Sequence, residues 1–348
     1  MKPRSTRRKG AGHTIMDVAR RADVSPMTVS RVINGERNVR ETTRARVIEA
    51  IRELGYAPNP AARSLASAQS LKIGLLYSNP SAAYLSEFLL GGLDQCSRSG
   101  IQLVVQKCEP EDEAQAVEHM VASAVDGVLL PPPLCDSRAV IERLDEAGLP
   151  VVAVASGAPL PSVSAIRIDD LAAAEAMTRH LIALGHRRIG FILGHPNQTA
   201  SGLRHQGYLR ALRAGGIASD PTIVAQGYFT YHSGLDAAAA LLTLEPRPTA
   251  IFASNDDMAA AAVAVAHRQG LDVPRDLTVV GFDDTAMATT IWPPLTTIRQ
   301  PVAEMARHAV SLLAEAIRHR AEGAPSELKG ELMSFTLVTR HSDAPPAS

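Results

Sequence analysis

The chain has 348 residues, of which 46% are apolar, 20% charged and 4% aromatic, enough for two to three domains of about 150 residues and a large buried core. Its net charge is −1, yet residues 1–66 hold 14 of the 35 Lys/Arg and 6 of the 36 Asp/Glu, so a segment of net +8 precedes a remainder of net −9. That partition suggests an anionic partner for the first segment. The longest wholly apolar stretch, Met258–Ala266, has nine residues, against the roughly 20 needed to cross a bilayer. The basic start (Lys2, Arg4, Arg7, Arg8, Lys9) continues into charged, amphipathic sequence rather than an apolar signal segment. The expectation is a soluble, cytoplasmic protein.

In chain order, residues 1–13 read as a basic flexible arm. Thr14 precedes an apolar stripe of Ile15, Val18, Ala19 and Ala22, with Asp17 placed as in a capping box. A turn at Ala22-Asp23-Val24 leads to Ser25-Pro26, an N-cap followed by Pro at the first helical position. The second helix buries Val29, Val32 and Ile33 and ends near Asn34-Gly35, where Gly suits a C-cap. A third runs from about Thr42 to Leu54, with Val47, Ile48, Ile51 and Leu54 on one face and Arg44, Arg46 and Arg52 toward solvent. Two short helices joined by a tight turn, with a third across them, predict a helix-turn-helix whose second helix enters the major groove. The bland alternative is a three-helix bundle for protein contacts, which the +8 charge disfavours.

The remaining 280 or so residues alternate short apolar runs with helical patterns. Strands are predicted at Ile73–Tyr77, Leu103–Gln106, Gly127–Leu130 and Val151–Ala155, with helices at Leu85–Ser97, Glu111–Ala122 and Ser137–Ala147. A second series has strands at Ile189–Leu193, Ile223–Gln226, Ala250–Ala253 and Thr278–Phe282, and helices near Leu171–Leu184, Gly202–Ala214, Ser233–Leu242 and Asp256–Gln269. Such alternation means α/β architecture with parallel sheets, and two series mean two lobes facing across a cleft, with ligands at the carboxyl ends of the strands. Cys96, Cys108 and Cys135 form no CxxC and imply neither disulfides nor zinc. No GxxxxGK[ST], GxGxxG, HExxH or GxSxG string occurs, so no cofactor, metal or catalytic residue is expected and the chain is not read as an enzyme.

The segments Thr14–Ala19, Val24–Gly35, Leu54–Asn59 and Ala61–Ala66 resemble the headpiece and hinge of the LacI/GalR family of transcription regulators. The likeness continues through Leu184–Ile189, Ser254–Ala259, Val280–Asp284 and Pro293–Ile298, and so covers nearly the whole chain. Asp23 stands where the family usually has Gly, and Asp tolerates positive φ better than most residues. The resemblance implies a headpiece at 14–59, a hinge helix and linker at 60–70, and a periplasmic-binding-protein-like core at 71–340, followed by a tail at 341–348. Within the core it implies a first lobe of about 71–169 and 302–328 and a second of about 170–298 and 329–340.

By position, the resemblance places Pro26, Met27 and Arg31 at base edges, Arg31 by bidentate bonding to guanine, and Leu65 as a minor-groove wedge. It places Thr14, Ser25, Thr28, Ser30, Asn34, Thr43, Tyr56 and Asn59 near phosphates, a positioning role; for Ser25, helix capping is expected as well. Effector contacts implied in the cleft are Ser78, Asn79, Tyr84, Phe88, Arg204, Phe229, Asn255, Asp283 and Gln300. For Asn255 and Asp283 the alternative is a strand-to-helix cap, and for Tyr84 and Phe229 core packing. Ala155 departs from sugar-binding members that carry an acidic residue there. The resulting expectation is a homodimeric repressor that binds a near-palindromic operator on double-stranded DNA, controlled by a small, sugar-like effector. A sugar transport protein or sugar-processing enzyme is the alternative.

Overall fold

The computed structural model describes residues 14–33, 39–54, 56, 71–109, 111–323 and 328–347, which fall into two compact units, Met1–Ser70 and Leu71–Ser348.

In the first unit, α1 (Ile15–Ala22) opens with a complete capping box. The Asp17 amide donates to Thr14 Oγ1 at 3.4 Å and the Thr14 amide to Asp17 Oδ2 at 2.9 Å, satisfying amides that the first turn leaves open. The helix stops at Asp23, which has φ 50°. Arg46, from α3 (Glu41–Leu54), donates to the carbonyls of Ala22 and Asp23 and so clamps this turn. Next, α2 (Pro26–Ile33) is capped by Ser25, whose Oγ accepts from the Thr28 amide at 3.1 Å. Val18, Ala19, Ala22, Val29, Val32, Val47 and Ala50 form the core of the unit. Two expectations are corrected. Ile48 is 47% exposed, because the inward face of α3 runs through Val47, Ala50 and Ile51. Arg44 is largely covered, its side chain 22% exposed.

The second unit contains two six-stranded sheets. The first has the order β11-β5-β4-β3-β1-β2, with β1 Lys72–Tyr77, β2 Gln102–Lys107, β3 Gly127–Leu130, β4 Val151–Val154, β5 Ser164–Ile168 and β11 Gly330–Met333, all parallel. The second has the order β12-β10-β9-β8-β6-β7, with β6 Ile189–Leu193, β7 Val224–Gln226, β8 Ala250–Ala253, β9 Thr278–Asp283, β10 Thr296–Arg299 and β12 Thr336–Val338. Only β12 in this sheet is antiparallel. The helices used below are α4 (Ala82–Ser99), α5 (Glu113–Ala122) and α6 (Arg138–Glu146) in the first lobe. In the second lobe they are α7 (Asp170–Ala183), α8 (Thr199–Ala214), α9 (Tyr231–Leu242), α10 (Asp256–Arg268) and α11 (Ala286–Thr290).

The chain crosses between lobes three times: from β5 to α7, from β10 to α12 (Val302–Ala321), and from β11 to β12. Helix α12 packs on α4 and the first sheet, so closely that a Cβ on Gly91 would lie 2.1 Å from the Ala303 carbonyl oxygen. The segment expected to join the second lobe from residue 329 onward is divided. Gly330–Met333 pairs with β5 in the first sheet, and only Thr336–Val338 reaches the second. Strand β5 and helix α11 were not among the expected elements. The tail also packs, because buried Ser342 accepts from the Thr296 amide at 2.9 Å and donates to the Val279 carbonyl. Among the described residues no helix is long and apolar enough to cross a membrane.

Candidate functional site

The carboxyl ends of β1, β3 and β4 in one lobe and of β6, β7, β8 and β9 in the other feed loops that meet around a small cavity. Of the nine expected cleft residues, seven line it: Asn79, Tyr84, Arg204, Phe229, Asn255, Asp283 and Gln300. Ser78 and Phe88 do not. Phe88 is 1% exposed inside the hydrophobic core, one helical turn beyond Tyr84 on the inward face of α4, and Ser78 lies outside the lining. Sequence reasoning missed Ser81, Pro132, Gln198 and Ala200, and took Ala155 as a departure only. Gln198 was within reach, since it precedes α8 at the end of the loop after β6, where strand-end reasoning places ligand contacts.

Three lining residues have left-handed backbones without being glycine: Ala155 (φ 58°), Phe229 (φ 61°) and Asp283 (φ 111°). Such conformations cost on the order of 1–3 kcal/mol each and cluster where function fixes geometry.

Arg204 dominates the charge of the cavity. Its Nε donates to Asp170 Oδ1 at 2.8 Å and its Nη1 to the Ser254 carbonyl at 2.6 Å, while Asp283 Oδ1 stands 3.7 Å from Nη1. The guanidinium lies over Phe282, 3.7 Å from the ring centroid, an arrangement favoured by the ring quadrupole. Asp283 Oδ1 also accepts from Gln300 Nε2 at 2.6 Å. Burial pushes the Asp283 carboxyl up to about 7, opposed by Arg204 and the Gln300 bond. Asp170 is raised by burial against the pull of Arg204, and Asp256 is raised by burial and by Asp283. Asn255 does cap α10, accepting from the Met258 amide at 3.0 Å, and its Nδ2 donates to the Phe229 carbonyl, also at 3.0 Å; it both builds the wall and faces the cavity. Three buried polar atoms of lining residues have no hydrogen-bond partner among the described residues: Tyr84 Oη, Gln198 Nε2 and Gln300 Oε1. A buried polar group left unpaired costs about 1–3 kcal/mol, so three such groups on residues of one lining mark a place for a polar ligand.

Two sets of hydrogen bonds tie the lobes together beside the cavity. From the first lobe, Asp136 accepts from the Thr199 amide at 2.8 Å, from Thr199 Oγ1 at 2.9 Å and from its own lobe's Ser156. The amides of Gly157 and Ala158 donate in turn to Thr199 Oγ1 at 2.8 and 3.1 Å. Elsewhere Ser81, which caps α4, donates to Asp257 at the start of α10.

In the first unit, Pro26, Met27 and Arg31 are exposed on α2, Met27 at 65%. Arg31 Nη2 lies 3.9 Å from Met27 Sδ, one helical turn away. Thr14 and Ser25 are exposed, while Thr28, Ser30, Thr43 and Tyr56 are half-buried. Thr14 and Ser25 already serve as caps, and Tyr56 packs on the small core. Asn34, Asn59, Leu65 and the hinge at 60–70 lie outside the described residues.

Comparison with known proteins agrees with both units. Residues 14–59 match the family described as bacterial regulatory proteins, lacI family, and residues 178–342 match a periplasmic binding protein-like domain. The HTH-type transcriptional repressor PurR of Haemophilus influenzae is 35% identical over 319 residues, covering 89% of this chain and 93% of PurR. The solved transcriptional regulator CelR–cellobiose complex is 34% identical with a TM-score of 0.73, covering 95% of this chain and 99% of that one. The lac repressor dimer bound to operator and the anti-inducer ONPF is 29% identical with a TM-score of 0.69, covering 96% and 100%. This chain belongs to the lacI family of bacterial regulatory proteins, as a DNA-binding transcription regulator with a helix-turn-helix headpiece and a two-lobed effector-binding core.

Proposed function

We propose that the protein is a homodimeric repressor whose hold on a near-palindromic operator is set by a small sugar-like molecule bound between the lobes of its core. The observation that carries this reading is that three residues lining one cavity walled by Phe229 each hold a buried polar atom without a partner among the described residues, Tyr84 Oη, Gln198 Nε2 and Gln300 Oε1. Donors, acceptors and an aromatic face together suit a ring bearing hydroxyls, since hydroxyls both give and accept hydrogen bonds while an apolar ring face packs on an aromatic wall. The bound cellobiose of the CelR structure and the operator and anti-inducer of the lac repressor structure support the same reading by likeness.

In the headpiece, Pro26, Met27 and Arg31 are the base-reading candidates, with Leu65 as the wedge. Thr14, Ser25, Thr28, Ser30, Asn34, Thr43, Tyr56 and Asn59 are the candidates for phosphate contact. A twofold protein reads twofold DNA, and symmetric dimers are the commonest oligomers. Closure of the lobes on effector would alter the paired headpieces with a coupling of typically 1 to 3 kcal/mol.

The test is to titrate a twofold-symmetric promoter fragment with the full chain at fixed salt, across a panel of mono- and disaccharides. At least one sugar should shift operator affinity by about 5- to 150-fold. A panel that leaves the affinity unchanged throughout rejects a sugar as effector.

A further inference from the structure

The cavity is lined by one buried cation, Arg204, and one buried acid, Asp283, and a second acid, Asp170, pairs with the cation from outside the lining. Arg204 is the one cationic side chain among its described lining residues, and a guanidinium does not lose its charge in a protein. Taken alone it would invite a phosphate or carboxylate, the groups its planar fork fits best. Its Nε is already engaged, however, by Asp170 at 2.8 Å and its Nη1 by the Ser254 carbonyl at 2.6 Å, with Asp283 3.7 Å from Nη1 and Phe282 beneath the plane. Asp170 comes from the first crossover between the lobes and is 1% exposed. Asp170 and Asp283 are both buried beside this single cation, and half-buried Asp257 adds to the negative field at Asp283.

We propose that Asp170 is a specificity-determining residue that cancels Arg204, closing the cavity to phosphorylated and carboxylated ligands and reserving it for uncharged, hydroxyl-bearing ones. This rests on the reading of the cavity as the effector site, and it divides ligands that the fold alone leaves equivalent. An anion in the cavity would have to share Arg204 with Asp170, whose carboxylate stands 2.8 Å from Nε, and like charges repel more strongly where water is excluded. Burial raises the Asp170, Asp256 and Asp283 carboxyls, and neighbouring acids add to it at each, while Arg204 pulls Asp170 and Asp283 back down. An uncharged ring adds no charge, and it can donate to Gln300 Oε1 and accept from Gln198 Nε2.

Inorganic phosphate is a probe that does not depend on knowing the effector. In equilibrium dialysis of the full chain at millimolar phosphate, phosphate held by the headpiece is common to all variants. Asp170→Asn, which preserves shape and an acceptor oxygen, is expected to gain one further phosphate per chain, at least tenfold tighter than any held by the wild-type cavity. Asp283→Asn removes the other carboxylate beside Arg204 and is expected to gain likewise, so it decides the matter should Asp170→Asn fail to fold. The proposal is overturned if neither folded variant gains phosphate. It is equally overturned if the wild type binds a phosphate that Arg204→Gln abolishes. Should these variants gain phosphate while no sugar shifts operator affinity, the sugar reading falls and the charge filter stands. Should the wild-type cavity hold phosphate while a sugar shifts operator affinity, only the charge filter falls.

Discussion

Asp283 shows how one buried side chain couples the site to its surroundings. Its strained backbone aims a carboxyl that is 6% exposed toward Gln300 and Arg204, and burial raises that carboxyl from 3.8 to about 7. Between pH 4 and pH 7 the folded protein therefore retains a proton that the unfolded chain has released. A state that binds more protons loses ground as they are removed, so this residue's contribution to stability is largest below pH 4 and declines as pH rises through 7. Asp283→Asn has no such titration. Urea unfolding at pH 4.5 and pH 7.5 should show the wild type losing stability relative to Asp283→Asn at the higher pH. A difference between the two proteins that stays constant across this range would reject the raised carboxyl.

At the scale of elements, the N-termini of α8 and α10 act as docking points between the lobes. Asp136 approaches the first turn of α8, where free amides and the helix dipole favour an anion, and the Thr199 amide and hydroxyl both donate to it. Asp136→Ala removes an acceptor shared by three donors, at a cost on the order of 1–3 kcal/mol to the closed arrangement. Small-angle scattering should report a larger radius of gyration for this variant, and an unchanged radius would show that other contacts hold the lobes closed.

How legible these elements were in the sequence follows from what fixes each. Gly127–Leu130, Ile189–Leu193 and Ala250–Ala253 coincide with the expected strands because unbroken apolar runs between turn residues need no tertiary context. Ser164–Ile168 was missed because Ser164 and Arg167 interrupt its run, and Ala286–Thr290 because five residues show no period. Gly330–Met333 was given to the wrong lobe because nothing in four residues states which edge they join. In the site, Asn255 and Asp283 stood out at strand ends. Asp170 and Asp136 did not, since their roles depend on partners 34 and 63 residues away.

Over the whole molecule, the division of charge assigns different physics to its two binding events. The first 66 residues carry +8 and the rest −9, so attraction to DNA resides in the headpiece while the core opposes it. Operator affinity should then follow counterion release, with log K falling by about 0.9 per phosphate contact for each unit of log salt. A dimer making six to ten such contacts loses about 10³- to 10⁵-fold in affinity between 50 and 200 mM salt. An uncharged effector in a closed cavity releases no counterions, and its dissociation constant should change less than about twofold over the same range, because salt screens buried charges weakly. Fluorescence anisotropy with labelled operator, set beside calorimetry with whichever sugar shifts operator affinity, measures both slopes on one protein. A flat operator curve would remove the phosphate contacts assigned to the headpiece. A steep effector curve would show that the ligand carries charge into the site, against the balance struck by Asp170 and Arg204.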